Sequence, residues 1–145
     1  MGKFSLTGAE YKISEETAIK QVKEFLEYYG KDPDEGDKDK QKSVESMLNR
    51  IVKYIRQGFV EIRPDMTIYQ KIQRPTAGST ASDITYRKFK GSDIIESEGT
   101  DETKFGERIN NLLGRLSGLD PSVFAKVLEP IDSKVSEAIG VLFFL

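Results

Sequence analysis

Residues 59–73 run FVEIRPDMTIYQKIQ and residues 84–89 run ITYRKF. Phe59-Val60-Glu61-Ile62-Arg63 alternates apolar with polar or charged residues, the period of a strand with one buried face. Pro64-Asp65-Met66-Thr67 is a turn, with Pro presetting φ at its second position. Ile68 to Gln73 is a second strand and Ile84 to Phe89 a third, separated by a Gly/Ser/Thr-rich loop over Pro75–Ser82. Three short strands suit an antiparallel meander, which is stable only with further structure against one face. The fold class therefore depends on what flanks the meander.

Both flanks are helical in pattern. On the N-terminal side, Phe4, Leu6, Tyr11 and Ile13 alternate around a Thr7-Gly8 turn signal, as a short hairpin or an extended arm. Ser14 before Glu15 and Glu16 marks a helix start. Ala18, Ile19, Val22, Phe25, Leu26 and Tyr29 follow at 3–4 spacing, and Gly30 stops the helix. After a charged loop, KDPDEGDKDK, a second helix is expected from about Lys40 to Gln57. Its stripe is Val44, Met47, Leu48, Ile51, Val52 and Ile55, and Gly58 closes it. Such a stripe suits a partner seam or, more simply, the other arm of a helical hairpin.

On the C-terminal side the pattern predicts a short helix over Asp93–Ser97. A longer one starts at Asp101 and buries Phe105, Ile109, Leu112, Leu113 and Leu116. A restart is expected at Asp120-Pro121, with Val123, Phe124, Val127 and Leu128 inward, and then an interruption at Pro130. A final helix capped by Asp132 or Ser133 carries Val135, Ile139, Leu142 and Phe143. The expected fold is α+β: an N-terminal helical hairpin, a small antiparallel three-stranded sheet and a C-terminal bundle of short helices. Its parts are residues 1–58 and 59–145, as two units or one continuous domain. No internal repeat is visible.

The 145 residues include no Cys, no His and no Trp. Thiolate chemistry, Cys-based metal centres and disulfides are excluded, and the commonest general base and metal ligand are missing. No enzyme activity and no cofactor are expected. The first residues carry no apolar run of a signal peptide, and Gly2 lacks the spacing for myristoylation. The longest apolar block, Val141 to Leu145, is far short of the ~20 residues of a membrane span. The expected location is cytoplasmic.

Candidate chemistry is sparse. Asp32, Asp34 and Asp37 around Gly36 suggest calcium, but Gly sits at the wrong loop position and the closing Glu is missing. No metal site is expected. Gly78-Ser79-Thr80 lacks the Lys and spacing of a phosphate loop. The pairs Glu96/Glu98 and Asp101/Glu102 have no pocket signature around them. Residues 59–90 hold six basic and three acidic residues, while residues 91–145 hold five and ten. Arg87 and Lys88, beside Tyr69, Tyr86 and Phe89, weakly suggest a nucleic-acid surface. The terminal run is the stronger feature. Phe143, Phe144 and Leu145 either plug the core or meet a partner chain.

The stretch from Ile84 to Leu145 resembles the tail assembly chaperones of long-tailed bacteriophages and related phage-like particles. The resembling residues are Tyr86-Arg87-Lys88-Phe89-Lys90, then Gly91-Ser92-Asp93-Ile94-Ile95-Glu96-Ser97-Glu98. Leu112-Leu113-Gly114-Arg115-Leu116-Ser117-Gly118-Leu119, Asp120-Pro121-Ser122-Val123-Phe124, Asp132 and the closing Leu142-Phe143-Phe144-Leu145 follow. Gln73-Arg74-Pro75-Thr76-Ala77-Gly78 is similar to an upstream step of that family, so the resemblance spans roughly residues 60–145. The family usually has a shorter N-terminal portion, and residues 1–58 have no counterpart in it. The resemblance implies a non-enzymatic factor that coats the tape-measure protein, helps recruit tail tube subunits and then leaves. The rival expectations are a structural tube, baseplate or connector subunit that stays in the particle, and a small nucleic-acid-binding regulator. On the chaperone reading Phe143, Phe144, Leu145, Arg87 and Lys88 are the partner-contact candidates. Self-association is a further expectation.

Overall fold

Each helix of the N-terminal hairpin is fixed by local chemistry at both ends. In the computed structural model, which describes residues 11–75, 83–93 and 105–144, α1 spans Glu15–Tyr28. The Ser14 hydroxyl accepts the Thr17 N–H at 3.2 Å, satisfying a donor the helix leaves free. At the other end Gly30 takes φ +66°. The N–H groups of Gly30 and Lys31 then close back on the carbonyls of Glu27 and Leu26, the double bond of a Schellman cap. α2, Lys38–Arg56, ends the same way: Gly58 at φ +81° donates to Ile55 and Phe59 donates to Tyr54. Its start lies earlier than the expected Lys40, because the Asp37 carboxylate caps the Lys40 N–H at 2.8 Å.

The meander is present, with shorter ladders than the alternation predicts. β1 is Val60–Ile62, β2 Ile68–Gln70 and β3 Ile84–Tyr86, all antiparallel in the order β1-β2-β3. Register is set by Glu61 opposite Tyr69 and Tyr69 opposite Thr85. The ladders stop where side chains capture the backbone. Asp83 accepts the Ile72 N–H at 3.0 Å, and the Asp132 carboxylate takes the N–H groups of Gln73 (2.8 Å) and Arg74 (3.0 Å).

α3, Phe105–Ser117, and α4, Pro130–Phe144, complete the helices. The start expected at Asp101 and most of the expected Asp93–Ser97 helix lie outside the described residues. Between α3 and α4 a helix restarts at Pro121 as expected, with the Asp120 carboxylate accepting the Ser122 N–H at 2.9 Å, but it goes on with π rather than α geometry. Val123–Val127 forms a π-helical turn, in which Phe124 is buried while Val123, Val127 and Leu128 are half-buried. Pro130 opens α4 at its first position rather than interrupting a helix, which its missing N–H permits. Asp132 is buried in the first turn and serves the strand exit instead of capping α4.

One core runs through both parts of the chain. Phe25 and Ala18 of α1, Ile51 and Ile55 of α2, Val60, Ile68 and Tyr86 of the sheet, Leu112 and Leu113 of α3, and Ile139, Leu142 and Phe143 of α4 belong to it. The fold is α+β, with the hairpin and the C-terminal helices on the sheet's apolar face. Among the described residues no helix is long and apolar enough to cross a membrane.

Candidate functional site

Four rings from three parts of the chain meet where α1 ends. Phe25 and Tyr29 lie 4.8 Å apart between centroids, Tyr29 and Phe89 5.1 Å, Phe89 and Phe143 5.5 Å, and Phe25 and Phe143 5.6 Å. All are tilted or edge-on, the geometry aromatic quadrupoles prefer. The Tyr29 hydroxyl donates to the Met66 carbonyl at 3.2 Å and accepts the Phe89 N–H at 3.4 Å. Burial raises its pKa above the ordinary phenol value. The Gly30 reversal brings Lys31 over the Phe89 ring at 5.1 Å, where its ammonium donates to the Phe143 carbonyl at 2.6 Å. A cation at the end of α4 complements the partial negative charge of that terminus. Burial lowers the Lys31 pKa.

This cluster floors a groove of about 430 Å³ between α1, α2 and α4. Met47, Phe89, Val141 and Phe144 give it apolar walls, and Lys31, Asp32, Glu35 and Lys40 supply charged groups at its lining. A second groove of about 450 Å³ lies along the α1–α2 hairpin, lined by Ile19, Val22, Pro33, Leu48 and Val52. Val44 lines both grooves, so apolar surface flanks the first half of α2 on two sides. Tyr28, 54% exposed, stands nearby with the Lys88 ammonium 5.6 Å above its ring.

The expected contact residues fall in different environments. Phe143 is 1% exposed and belongs to the core, so it cannot be a direct partner contact as expected. The cause is its position on the inward face of α4, between Phe25 and Phe89. Phe144 is half-buried, lines the groove and has the Arg108 guanidinium 5.4 Å over its ring. Leu145 lies outside the described residues. Lys88 is exposed.

Arg87 is engaged within the fold. It grips Asp93 with both ends of its guanidinium, at 2.7 and 3.0 Å. Arg115 donates to the same carboxylate at 3.2 Å, and the Lys90 N–H adds 2.8 Å. These donors, Arg87 first, hold the Asp93 pKa down to about 2 against the opposing effect of burial. The nucleic-acid reading loses its stacking platform, because Tyr86 is 0% exposed. Of the other aromatic groups, Tyr69 is covered by Arg63, whose guanidinium lies 4.8 Å from its ring, and Phe89 belongs to the ring cluster.

The charged loop is a capping device rather than a gathered ligand set. Asp32 accepts the Asp34 N–H at 2.9 Å while Asp37 serves α2. The pairs Glu96/Glu98 and Asp101/Glu102, and Gly78-Ser79-Thr80, lie outside the described residues.

Sequence reasoning missed the polar residues that lock the elements together. Gln70 is buried: its Oε1 accepts the hydroxyls of Tyr86 (2.7 Å) and Ser136 (2.8 Å), and its Nε2 donates to the Asp132 carbonyl at 3.0 Å. The available signal was Gln70 at an inward strand position, in register with Ile68 and Ile72. Lys31 opens the charged loop in the sequence, and its reach to α4 has no local signature. No family model matches this chain, and neither a curated protein nor a solved structure shows significant similarity to it.

Proposed function

We propose that this chain is a non-enzymatic assembly chaperone of phage-like tails, acting in the cytoplasm of the producing cell. It covers an apolar-striped helix of a tape-measure protein and helps bring tail tube subunits to it. The observation that carries the reading is the groove of about 430 Å³ with Met47, Phe89, Val141 and Phe144 in its walls. It supports the reading in two ways. An open apolar groove between helices is the receptor half of helix-in-groove recognition. It is also built around the Phe-rich end of the segment that resembles the chaperone family. A groove this small gives a weak single contact, and many copies along one long helix supply avidity while leaving each displaceable.

The test is a pull-down with the tagged full chain from cells making the particles, alongside mass spectrometry of the purified particles. The expected result is a long helical protein and a tube subunit in the pull-down, with this chain missing from the particles. Met47→Asp in the groove wall is expected to abolish the capture while the thermal midpoint stays within a few degrees. Stoichiometric recovery of the chain in particles would identify a structural subunit instead.

A further inference from the structure

One hydroxyl ties two distant connections to the floor of the groove between α1, α2 and α4. Tyr29 caps the end of α1, its N–H on the Phe25 carbonyl, and its ring packs on Phe25 and Phe89. Its hydroxyl reaches beyond those rings. It donates to the Met66 carbonyl in the β1–β2 turn at 3.2 Å and accepts the Phe89 N–H, just past β3, at 3.4 Å. Both partners sit where local structure holds the backbone poorly. Met66 stands at φ +67°, a left-handed conformation that residues with a side chain adopt uncommonly. Phe89 lies past Tyr86, the last β3 residue paired with β2, so the ladder offers its N–H no acceptor. A half-buried donor in that position needs one, and the phenol oxygen supplies it.

Phe89 is the one groove wall that comes from a connecting segment, whereas Met47 belongs to α2 and Val141 and Phe144 to α4. Helices hold their own residues by internal hydrogen bonds. Ring packing on Tyr29 and Phe143 draws Phe89 inward but has weak directionality. A hydrogen bond to its main chain is directional and fixes where the ring starts. We infer that Tyr29 is the positioning residue of this groove: its hydroxyl, rather than its ring, holds Phe89 in place as a wall and so sets how tightly an apolar-striped helix is bound. The inference rests on the groove being the partner site proposed above. The hydroxyl is engaged by Met66 and Phe89, so it acts through Phe89 and not by touching the partner.

The test is Tyr29→Phe in the full chain, which keeps the ring and deletes the hydroxyl. The first measurement is amide hydrogen exchange of the free chain. The Phe89 N–H should exchange about fivefold faster or more, beyond any acceleration shared by Leu113, whose amide in the core of α3 reports global opening. The second is fluorescence anisotropy with a defined apolar-striped helix, three repeats of Leu-Ala-Glu-Lys-Leu-Glu-Lys, acetylated and amidated. Tyr29→Phe should raise its Kd by about fivefold. Tyr28→Phe, at the exposed neighbouring ring, should change neither measurement. Equal acceleration at Phe89 and Leu113 overturns the inference, because the hydroxyl would then serve only overall stability. So does faster exchange at Phe89 with peptide binding unchanged, since the wall would not need fixing. An unaltered chain that fails to bind the peptide overturns the groove reading and the binding half of this inference with it, while the exchange comparison still decides what holds Phe89.

Discussion

Asp93 is 1% exposed yet is held as an anion by Arg87 and Arg115, so the pair network is a pH-dependent clamp between the exit of β3 and α3. Its folded pKa, about 2, lies below the ordinary 3.8. A depressed carboxylate pKa adds stability that is complete above about pH 4 and disappears as pH falls through about 2. Both arginines reach solvent, so the contribution is about 1–2 kcal/mol. Asp93→Asn should lower unfolding stability by that amount at pH 6, and the gap from the unaltered chain should close by about pH 2. A gap independent of pH in denaturant titrations would show that the anion is not what matters. Gln70 offers a second test. Gln70→Leu removes the acceptor shared by the Tyr86 and Ser136 hydroxyls, which keep only their mutual 3.4 Å contact, and a donor to the Asp132 carbonyl, at about 1–3 kcal/mol. Adding Tyr86→Phe should recover part of that loss, since one stranded donor is removed. Losses that simply add would mean the network is not coupled.

At the scale of elements, the approach of α3 to α4 is set by one missing side chain. A Cβ on Gly140 would stand 2.4 Å from the Ile109 Cγ2 and 3.5 Å from the Leu113 Cδ1. Gly140→Ala should therefore destabilise by about 1–3 kcal/mol despite the better helix propensity of Ala. The double variant Gly140→Ala with Ile109→Ala should lose less than the two single losses summed, because the methyl that collides is gone. Thermal melts of the three variants decide this. Gly140 also marks the limit of what the sequence discloses. Gly30 and Gly58 follow a helical stripe, so their capping role can be read locally. Gly140 sits inside a stripe, and only the neighbouring helix explains it. The same division holds for polar residues. Ser14 serves its own turn and was legible. Asp132 looked like a local cap but serves backbone about 60 residues away, between Gln73 and Arg74. The strand centres were legible from alternation. Their ends were not, since Asp83 and Asp132 set them from outside the ladder.

At the scale of the molecule, the question is whether the helical hairpin is an addition to a domain that starts at residue 59. The proposed chaperone reading rests on roughly residues 60–145, and that boundary invites treating residues 1–58 as separable. The packing argues otherwise. Phe143 of α4 meets Phe25 of α1 at 5.6 Å, and Lys31 donates to its carbonyl. Ile51 and Ile55 of α2 share the core with the sheet and with Ile139 and Leu142. Removing the hairpin would expose one side of Phe143 and the sheet's apolar face at β1, a contiguous apolar surface too large for a soluble monomer to leave bare. It would also remove two walls of the groove at Phe144, which is bounded by Val44 and Met47 of α2 and by Tyr29. A chain of residues 59–145 is therefore expected to lack a cooperative thermal transition, to bind a hydrophobic dye and to show little near-ultraviolet signal from its aromatic groups. The full chain should melt in one step by both backbone and aromatic signals. A cooperative melt of the shorter chain would restore the hairpin to the status of an appendage. The groove would then belong to an accessory element, and any assembly role placed on it would have to move to the C-terminal helices alone.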